Sequence, residues 1–163
     1  MHLLRDAFPD AGRGPRLTAV IGVGNERRGD DAAGLEVVRR LREHAPEGVH
    51  VVECADDPLG IIDAWEGADD AIVIDAVRSG APPGTLHVLE GAQLKGQSLK
   101  LRGSMSTHAF GVVDAIELAR ALGRLPERVR FYGIEGESFV MGSGLSPAVA
   151  RAVERLAGGA GAA

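Results

Sequence analysis

The order of the predicted elements favours an α/β fold, a three-layer sandwich whose mostly parallel five-stranded sheet has one antiparallel strand and helices on both faces. Several strand-length segments are nearly continuous apolar runs, which is typical of strands covered on both faces. Segments with helical periodicity lie between them, so strands and helices alternate along the chain. One pair of strands is separated by too few residues for a crossover helix, which predicts the antiparallel member.

Each element has its own local signal. The predicted strands are Leu17–Val23, Val49–Glu53, Ala71–Val77, Thr85–Glu90 and Arg128–Glu135. The predicted helices run from an Asp30 or Asp31 cap to about Ala45, from Pro58 to Trp65, from about Ala109 to Leu122, and onward from Ser146-Pro147. Capping residues and first-turn prolines mark the helix starts. The turn "SGAPPGT" is short enough to predict a hairpin between the third and fourth strands, and the polar, aperiodic segment 91–107 predicts a mobile loop.

Length and composition indicate one ordinary globular domain. The 163 residues suit a single domain over 1–163, with 1–16 as a loose leader and 158–163 as a frayed tail. The formal net charge of -5 argues against a nucleic-acid binder. Cys54 is the single cysteine, and no signal peptide or membrane-spanning run is evident. We therefore expect a cytoplasmic location and no membrane insertion.

The most informative stretch is "IGVGNERRGDDAAG", residues 21–34, where a buried strand passes through glycines into two acids. A dinucleotide fingerprint would require a third glycine where Arg27 stands. A P-loop would require Lys and Ser or Thr where Asp30 and Asp31 stand. Two carboxylates at a helix N-terminus would repel a phosphate. An ordinary structural interpretation remains, with Asp30 as a helix cap and Asp31 as a favourable first-turn charge.

A metal site is the functional interpretation of the same acids. Asp75 follows the apolar run "AIVI", and His108 precedes a helix, so both lie where the carboxyl ends of the strands should meet Asp31. Each residue also has an ordinary structural explanation, as a cap, a turn former or a loop histidine. A single metal site would explain Asp31, Asp75 and His108 together. Two carboxylates with one imidazole suit Ni²⁺ or Zn²⁺ that keeps open coordination positions. Cys54 is a possible soft ligand, although a small buried residue is the favoured interpretation.

Four motifs in order resemble one known family. They are "GVGNERRGDDAAG", "VIDAV" followed by "GAPPGT", "STHAFG" and "GIEGESFVMGSGLSPAV". This pattern is similar to that of the hydrogenase maturation proteases, the endopeptidases that process the large subunit of nickel–iron hydrogenases. The resemblance extends from Ala19 to Leu156, and it rests on the order and spacing of the motifs, since each alone is modest.

The resemblance implies a function and a partner. Family members remove a C-terminal extension from the hydrogenase large-subunit precursor after nickel insertion, so the nickel would come with the substrate. Carried over by motif, the metal-binding and catalytic residues are Asp31, Asp75 and His108. The chain has no His-Glu-x-x-His motif and no indicated Ser-His or Cys-His pairing. One possible mechanism is that nickel polarises the scissile carbonyl or a water, with a carboxylate such as Asp30 assisting.

Two other functions stay open at this point. A non-catalytic nickel-binding module or chaperone in hydrogenase assembly would use the same ligands without a peptide groove. A nucleotide-dependent oxidoreductase is disfavoured by Arg27 and the paired acids. The chain also departs from the family pattern at "ECADDPLG", where relatives often have an Asp-Gly-Gly-like turn, and at Gly136, where proline is frequent. The segment 91–107 is expected to carry partner specificity.

Overall fold

The computed structural model describes residues 14–90 and 107–158, together with positions 3, 7 and 94, while the side chains of 107–110 fall outside that description. Five strands form one sheet of order β2-β1-β3-β5-β4. The strands are β1 (Thr18–Val23), β2 (Val49–Cys54), β3 (Asp70–Val77), β4 (Leu86–Glu90) and β5 (Arg128–Glu135). A short 3-10 helix (Gly29–Ala32) precedes α1 (Ala33–Arg42), and the remaining helices are α2 (Pro58–Ala64), α3 (Thr107–Leu122) and α4 (Pro147–Leu156).

The predicted fold class is confirmed, because four strands are parallel and β4 alone in this sheet is antiparallel. The predicted hairpin between β3 and β4 is wrong, since β5 lies between them. The connection after β3 crosses the end of β5, where Glu135 N–H donates to Thr85 O at 2.9 Å and Gly84 N–H donates to Glu135 O at 2.8 Å. The largely buried β5 takes the interior position, and the half-exposed β4 takes the edge.

Two apolar cores cover the two faces of the sheet. Helices α1 and α4 pack on one face, with the core residues Val37, Val38, Leu41, Val149, Val153, Val20, Ile72 and Ile74 among its members. Helices α2 and α3 pack on the other, with Ile61, Ile62, Trp65, Val112, Ile116, Ile21, Val73 and Val77 among its members. Because side chains alternate along a strand, Asp75 shares the α2–α3 face with Val73 and Val77.

The strand boundaries agree with prediction to within one residue at each end, but the start of the first helix does not. The chain enters it through a 3-10 helix whose N-cap is Arg28, and α1 has Ala32 as its N-cap, with no side-chain cap bond in either case. The predicted capping role of Asp30 or Asp31 is therefore wrong. Asp57, by contrast, is a side-chain N-cap of α2, because its carboxylate accepts the Leu59 N–H at 3.3 Å, with Pro58 in the first turn.

Three further expectations concern segments that lie largely outside the described residues. In the expected leader, the described positions Leu3 and Ala7 are buried in the α1–α4 core. In the expected mobile loop, Leu94 is buried in the α2–α3 core. The expected C-terminal tail is described only at its first position, 158. No helix in the ranges 14–90 and 107–158 is both long and apolar enough to cross a membrane, and the cytoplasmic location stays a prediction from the sequence.

Candidate active site

The glycines of the 21–34 stretch bring backbone against backbone at the carboxyl edge of the sheet. A Cβ on Gly22 would lie 2.3 Å from the carbonyl oxygen of Gly34, and one on Gly34 would lie 2.3 Å from that of Ile74. A Cβ on Gly24, whose φ is +156°, would lie 1.9 Å from the carbonyl oxygen of Asp31. These glycines therefore press the 3-10 helix and the start of α1 onto β1 and β3, which positions Asp31 at the strand ends.

Asp31 and Asp75 meet in the interior at this edge. Their exposed fractions are 1% and 0%. The Asp75 Oδ1 accepts the Ala76 N–H at 2.8 Å, whereas its Oδ2 is buried with no hydrogen-bond partner among the described residues. Burial first, and then the charges of Asp56 and Asp31, raise the pKa of Asp75 well above its ordinary value. Such an arrangement disfavours the ionised form of Asp75 in the bare protein, and a nearby positive charge would favour it.

Asp56 is a third carboxylate at this site, and the sequence reasoning did not identify it. A Cβ on Gly111 would lie 2.1 Å from the Asp56 Oδ1, so this side chain packs directly on the backbone of α3. After burial, the charge of Asp56 contributes more than that of Asp31 to the raised pKa of Asp75. Asp56 remains exposed to solvent, unlike Asp31 and Asp75. A signal was present, because the pair Asp56-Asp57 follows β2 after a single residue, at the same edge.

Residue 108 lies in the first turn of α3, three positions before Gly111. Since Asp56 touches the backbone at Gly111 and acts on Asp75, the start of α3 lies beside the acidic cluster. The His108 side chain is outside the described residues, so its contacts with Asp31 and Asp75 stay a prediction. Within the described part of the chain, no three His, Cys, Asp or Glu side chains are grouped to hold a metal ion. A ligand set of Asp31, Asp75 and His108 therefore stays a prediction.

An open cleft of about 480 Å³ leads to Asp31. Its walls come from residues 24–28 on one side and the connection after β2 on the other, with Cys54 and Asp56 among them. Arg39 fixes part of the rim through ion pairs with Glu26, Glu36 and Glu53. Burial first, and then Asp57 and further carboxylates, raise the pKa of the Cys54 thiol to about 11. A thiol that stays protonated favours the structural interpretation of Cys54 over a metal ligand.

Asp30 is not available to assist catalysis, contrary to the suggested mechanism. Its Oδ2 accepts the N–H groups of Glu137 at 2.8 Å and Ser138 at 2.9 Å, and also the Ser146 hydroxyl at 2.9 Å. Its Oδ1 accepts the Ser146 N–H at 2.7 Å. The side chain is fully buried, and both oxygens are occupied by the segment after β5. Asp30 therefore holds that segment in place, which also explains why it caps no helix.

The fold and the site define an α/β protein with acidic side chains at the carboxyl edge of its sheet, beside an open cleft lined by Asp31 and Asp56. A family model described as hydrogenase maturation protease matches residues 35–160. The hydrogenase expression/formation protein HupD of Rhodobacter capsulatus is 32% identical over 145 residues, which cover 86% of this chain and 67% of that protein. The hydrogenase 2 maturation protease of Escherichia coli K12 is 26% identical, over 83% of this chain and 82% of that protein.

Solved structures agree with these sequence relationships. The [NiFe] hydrogenase maturation protease HybD from Thermococcus kodakarensis superposes with a TM-score of 0.73 at 28% identity, covering 90% of this chain and 97% of that one. The hydrogenase maturating endopeptidase HybD of Escherichia coli reaches 0.76 at 24% identity, covering 88% and 89%, and supports the fold. The chain belongs to the hydrogenase maturation protease family, and it is a maturation endopeptidase. The matched range contains Asp75 and His108, whereas Asp31 precedes it.

Proposed function

We propose that this endopeptidase removes the C-terminal extension of a nickel–iron hydrogenase large-subunit precursor after nickel insertion, and that Asp31, Asp75 and His108 recognise the nickel. Family membership supports the reaction class. The proposed recognition of nickel rests on the Asp75 carboxylate. It is fully buried, has an Oδ2 without a hydrogen-bond partner among the described residues, and lies beside two other acids. A bound cation would favour the ionised form of such a group.

The same electrostatics explain why a nickel-free precursor would be refused. Without a cation, burial and the charges of Asp56 and Asp31 oppose ionisation of Asp75, and the neutral backbone of a peptide does not offset this. With nickel held by the precursor, the protein supplies two carboxylates and the His108 imidazole to its open positions, a ligand set that suits this ion. The nickel therefore acts as part of the substrate, and recognition of the metal becomes a test of whether the precursor is ready.

Hydrolysis requires polarisation of a carbonyl and removal of a proton from water. Nickel would polarise the scissile carbonyl or a bound water. Water oxygen attacks the carbonyl carbon, the C–N bond breaks, and the departing nitrogen takes up a proton. We assign the proton-accepting role to Asp56, because it is exposed to the cleft, lies against the start of α3 and acts on Asp75. The cleft gives the peptide a path to this point.

Trimming of purified precursor tests the proposal. The enzyme is incubated with nickel-loaded and nickel-free large-subunit precursor, and the mass of the C-terminal region is measured. We expect loss of the extension from the nickel-loaded form alone. Asp31→Asn, Asp75→Asn and His108→Ala should each slow trimming by at least about 100-fold, since even changes behind the ligands of a metal cost on the order of 10–100-fold. Asp56→Asn should lower the rate with less effect on nickel affinity.

Asp57→Asn is the matched control for this site. It lies next to Asp56 in the same turn, and an asparagine oxygen can still accept the Leu59 N–H that caps α2. We expect wild-type trimming from it and an unchanged melting temperature. Nickel binding without trimming of any cognate precursor would support the non-catalytic alternative and overturn the proposal. Full activity in the Asp31, Asp75 and His108 variants would show that recognition lies elsewhere.

A further inference from the structure

The segment between β5 and α4, residues 136–146, presents two adjacent apolar side chains to solvent. Val140 and Met141 are 65% and 62% exposed, more than any other large hydrophobic side chain in the described part of the chain. Scattered single exposed apolar residues are normal on protein surfaces. Two neighbours on one loop, beside a functional site, call for an explanation. We name this pair the apolar tip of the 136–146 loop.

The loop is fixed at both ends by one buried carboxylate. Asp30 accepts the N–H groups of Glu137 and Ser138 at the start of the loop and the N–H and hydroxyl of Ser146 at its end, with all four bonds between 2.7 and 2.9 Å. Hydrogen bonds to a charged acceptor are roughly twice as strong as neutral ones. The apolar tip is therefore held out on a braced loop, at a defined position, rather than left to collapse onto the protein surface.

The brace belongs to the same turn as the proposed nickel ligand. Asp30 N–H donates to Ser138 O at 2.8 Å, and Gly142 N–H donates to Arg27 O at 2.8 Å. The loop packs so closely that a Cβ on Gly29, where φ is +56°, would lie 2.6 Å from Ser138 O. Asp31 directly follows Asp30 in the 3-10 helix. The distance from the apolar tip to the acidic site is therefore set by a few short contacts.

Two arginines, Arg78 and Arg27, border the loop that carries the apolar tip, although the chain has a net charge of -5. Arg78 stacks on the Phe139 ring with its guanidinium carbon 4.5 Å from the ring centroid. Arg27 lies under the loop through the Gly142 contact. Both arginines are exposed, and Glu137 is the exposed acid of the loop. A surface that fits this tip is an apolar recess bordered by acidic groups.

We propose that the apolar tip, Val140 with Met141, docks into an apolar, acid-bordered recess on the large-subunit precursor, and that Asp30 is the positioning residue that fixes the tip relative to Asp31. This inference rests on the proposed function. The partner that docks on the tip is the precursor, because the loop is braced on the turn that recognises its nickel. The tip and the metal-recognising turn therefore contact the same precursor molecule at the same time. When two weak contacts are joined by a rigid turn, formation of the first holds the second in place, and the overall affinity exceeds that of either contact alone.

Steady-state trimming of nickel-loaded precursor tests this docking surface. In the double variant Val140→Ser with Met141→Ser, we expect KM to rise on the order of 30-fold with kcat within about twofold of wild type, since losing a packed apolar anchor costs roughly fivefold or more per residue. Both side chains are exposed, so the variant should keep its melting temperature. Leu122→Ser is the control, because Leu122 is 53% exposed at the far end of α3 and should leave KM unchanged.

Asp30→Asn tests the brace. An asparagine keeps one acceptor oxygen and loses the other, so the loop loses part of its anchorage. KM should rise in this variant, and it should rise little further when Asp30→Asn is added to the double serine variant, since both changes remove the same docked contact. A merely structural role would instead give effects on KM that multiply independently.

Each other outcome has a defined meaning. If wild type trims the precursor and the double serine variant keeps its KM, the docking surface is wrong while the proposed function stands. A fall in kcat without a change in KM would place the tip in catalysis and also overturn docking. Self-association of wild type in sedimentation, lost in the variant, would assign the tip to a second copy of the chain. If wild type trims no nickel-loaded precursor, it is the proposed function that fails.

Discussion

Asp70 and Asp75 lie five residues apart in β3, and both are buried, yet their surroundings are opposite. At the amino end of the strand, Asp70 accepts two hydrogen bonds from the Arg128 guanidinium, both at 2.8 Å, and two from Arg16 at 2.8 and 2.9 Å. At the carboxyl end, Asp75 accepts the Ala76 N–H and otherwise faces two further acids. In the described part of the chain, this strand therefore carries a carboxylate with both oxygens paired at one edge of the sheet and one with an unpaired oxygen at the other.

The pKa values of the two groups move in opposite directions for this reason. Burial raises the pKa of each, but at Asp70 the hydrogen bonds from Arg128 and Arg16 outweigh it and hold the pKa below its ordinary value. At Asp75 burial and the charges of Asp56 and Asp31 all act in the same direction, upward. The amino edge is arranged for stability, whereas the carboxyl edge keeps an unfavourable arrangement. In the proposed function the cation of the substrate would relieve it, and function and stability would then be separated along a single strand.

The largest effect on stability should come from Asp70→Asn. It leaves the Arg16 and Arg128 side chains, which are 20% and 30% exposed, facing a neutral amide in place of their shared carboxylate. Breaking a fully buried pair costs roughly 3–5 kcal/mol, and partial solvent contact lowers this to about 2 kcal/mol. The free energy of unfolding, measured in urea, should fall by this amount while trimming per folded molecule is retained. A stable but inactive variant would show that the two edges are not independent.

Acid should remove the same stabilisation in the wild-type protein. Because the folded pKa of Asp70 is lowered, its contribution to stability is present above the ordinary aspartate pKa of about 3.9 and is lost as pH falls through the folded value. Unfolding measured from pH 7 to pH 3 should therefore show the gap between wild type and Asp70→Asn closing below about pH 4. A constant gap over this range would mean that the arginines stabilise the fold without the carboxylate charge.

The sequence could predict the strands and most helices because they depend on local apolar periodicity. The β3–β4 hairpin failed because a short connection does not reveal that β5, over forty residues later, will insert between them. Asp30 and Asp31 look alike in sequence and differ only through the partners of Asp30 in the 136–146 loop, which are more than a hundred residues away. Asp56 escaped notice because its place beside Asp75 depends on the bare backbone of Gly111 in a distant helix.

The smallest and most discriminating effect is expected from Asp75→Asn. The amide has nearly the same shape and needs no proton to stay neutral beside two acids, so the metal-free protein should become more stable at neutral pH, by about 1 kcal/mol. Since the folded pKa of Asp75 is raised, the wild-type carboxylate lowers stability increasingly as pH rises above about 4, and the advantage of the variant should grow over that interval. Urea unfolding in the presence of a chelator, at pH 4 and pH 7, measures this difference in stability.

Asp70→Asn would then lose stability and keep trimming activity, whereas Asp75→Asn would gain stability and lose trimming activity. A destabilised Asp75→Asn protein would instead make the carboxyl edge a second structural anchor, and the division of β3 into a stabilising end and a working end would be wrong.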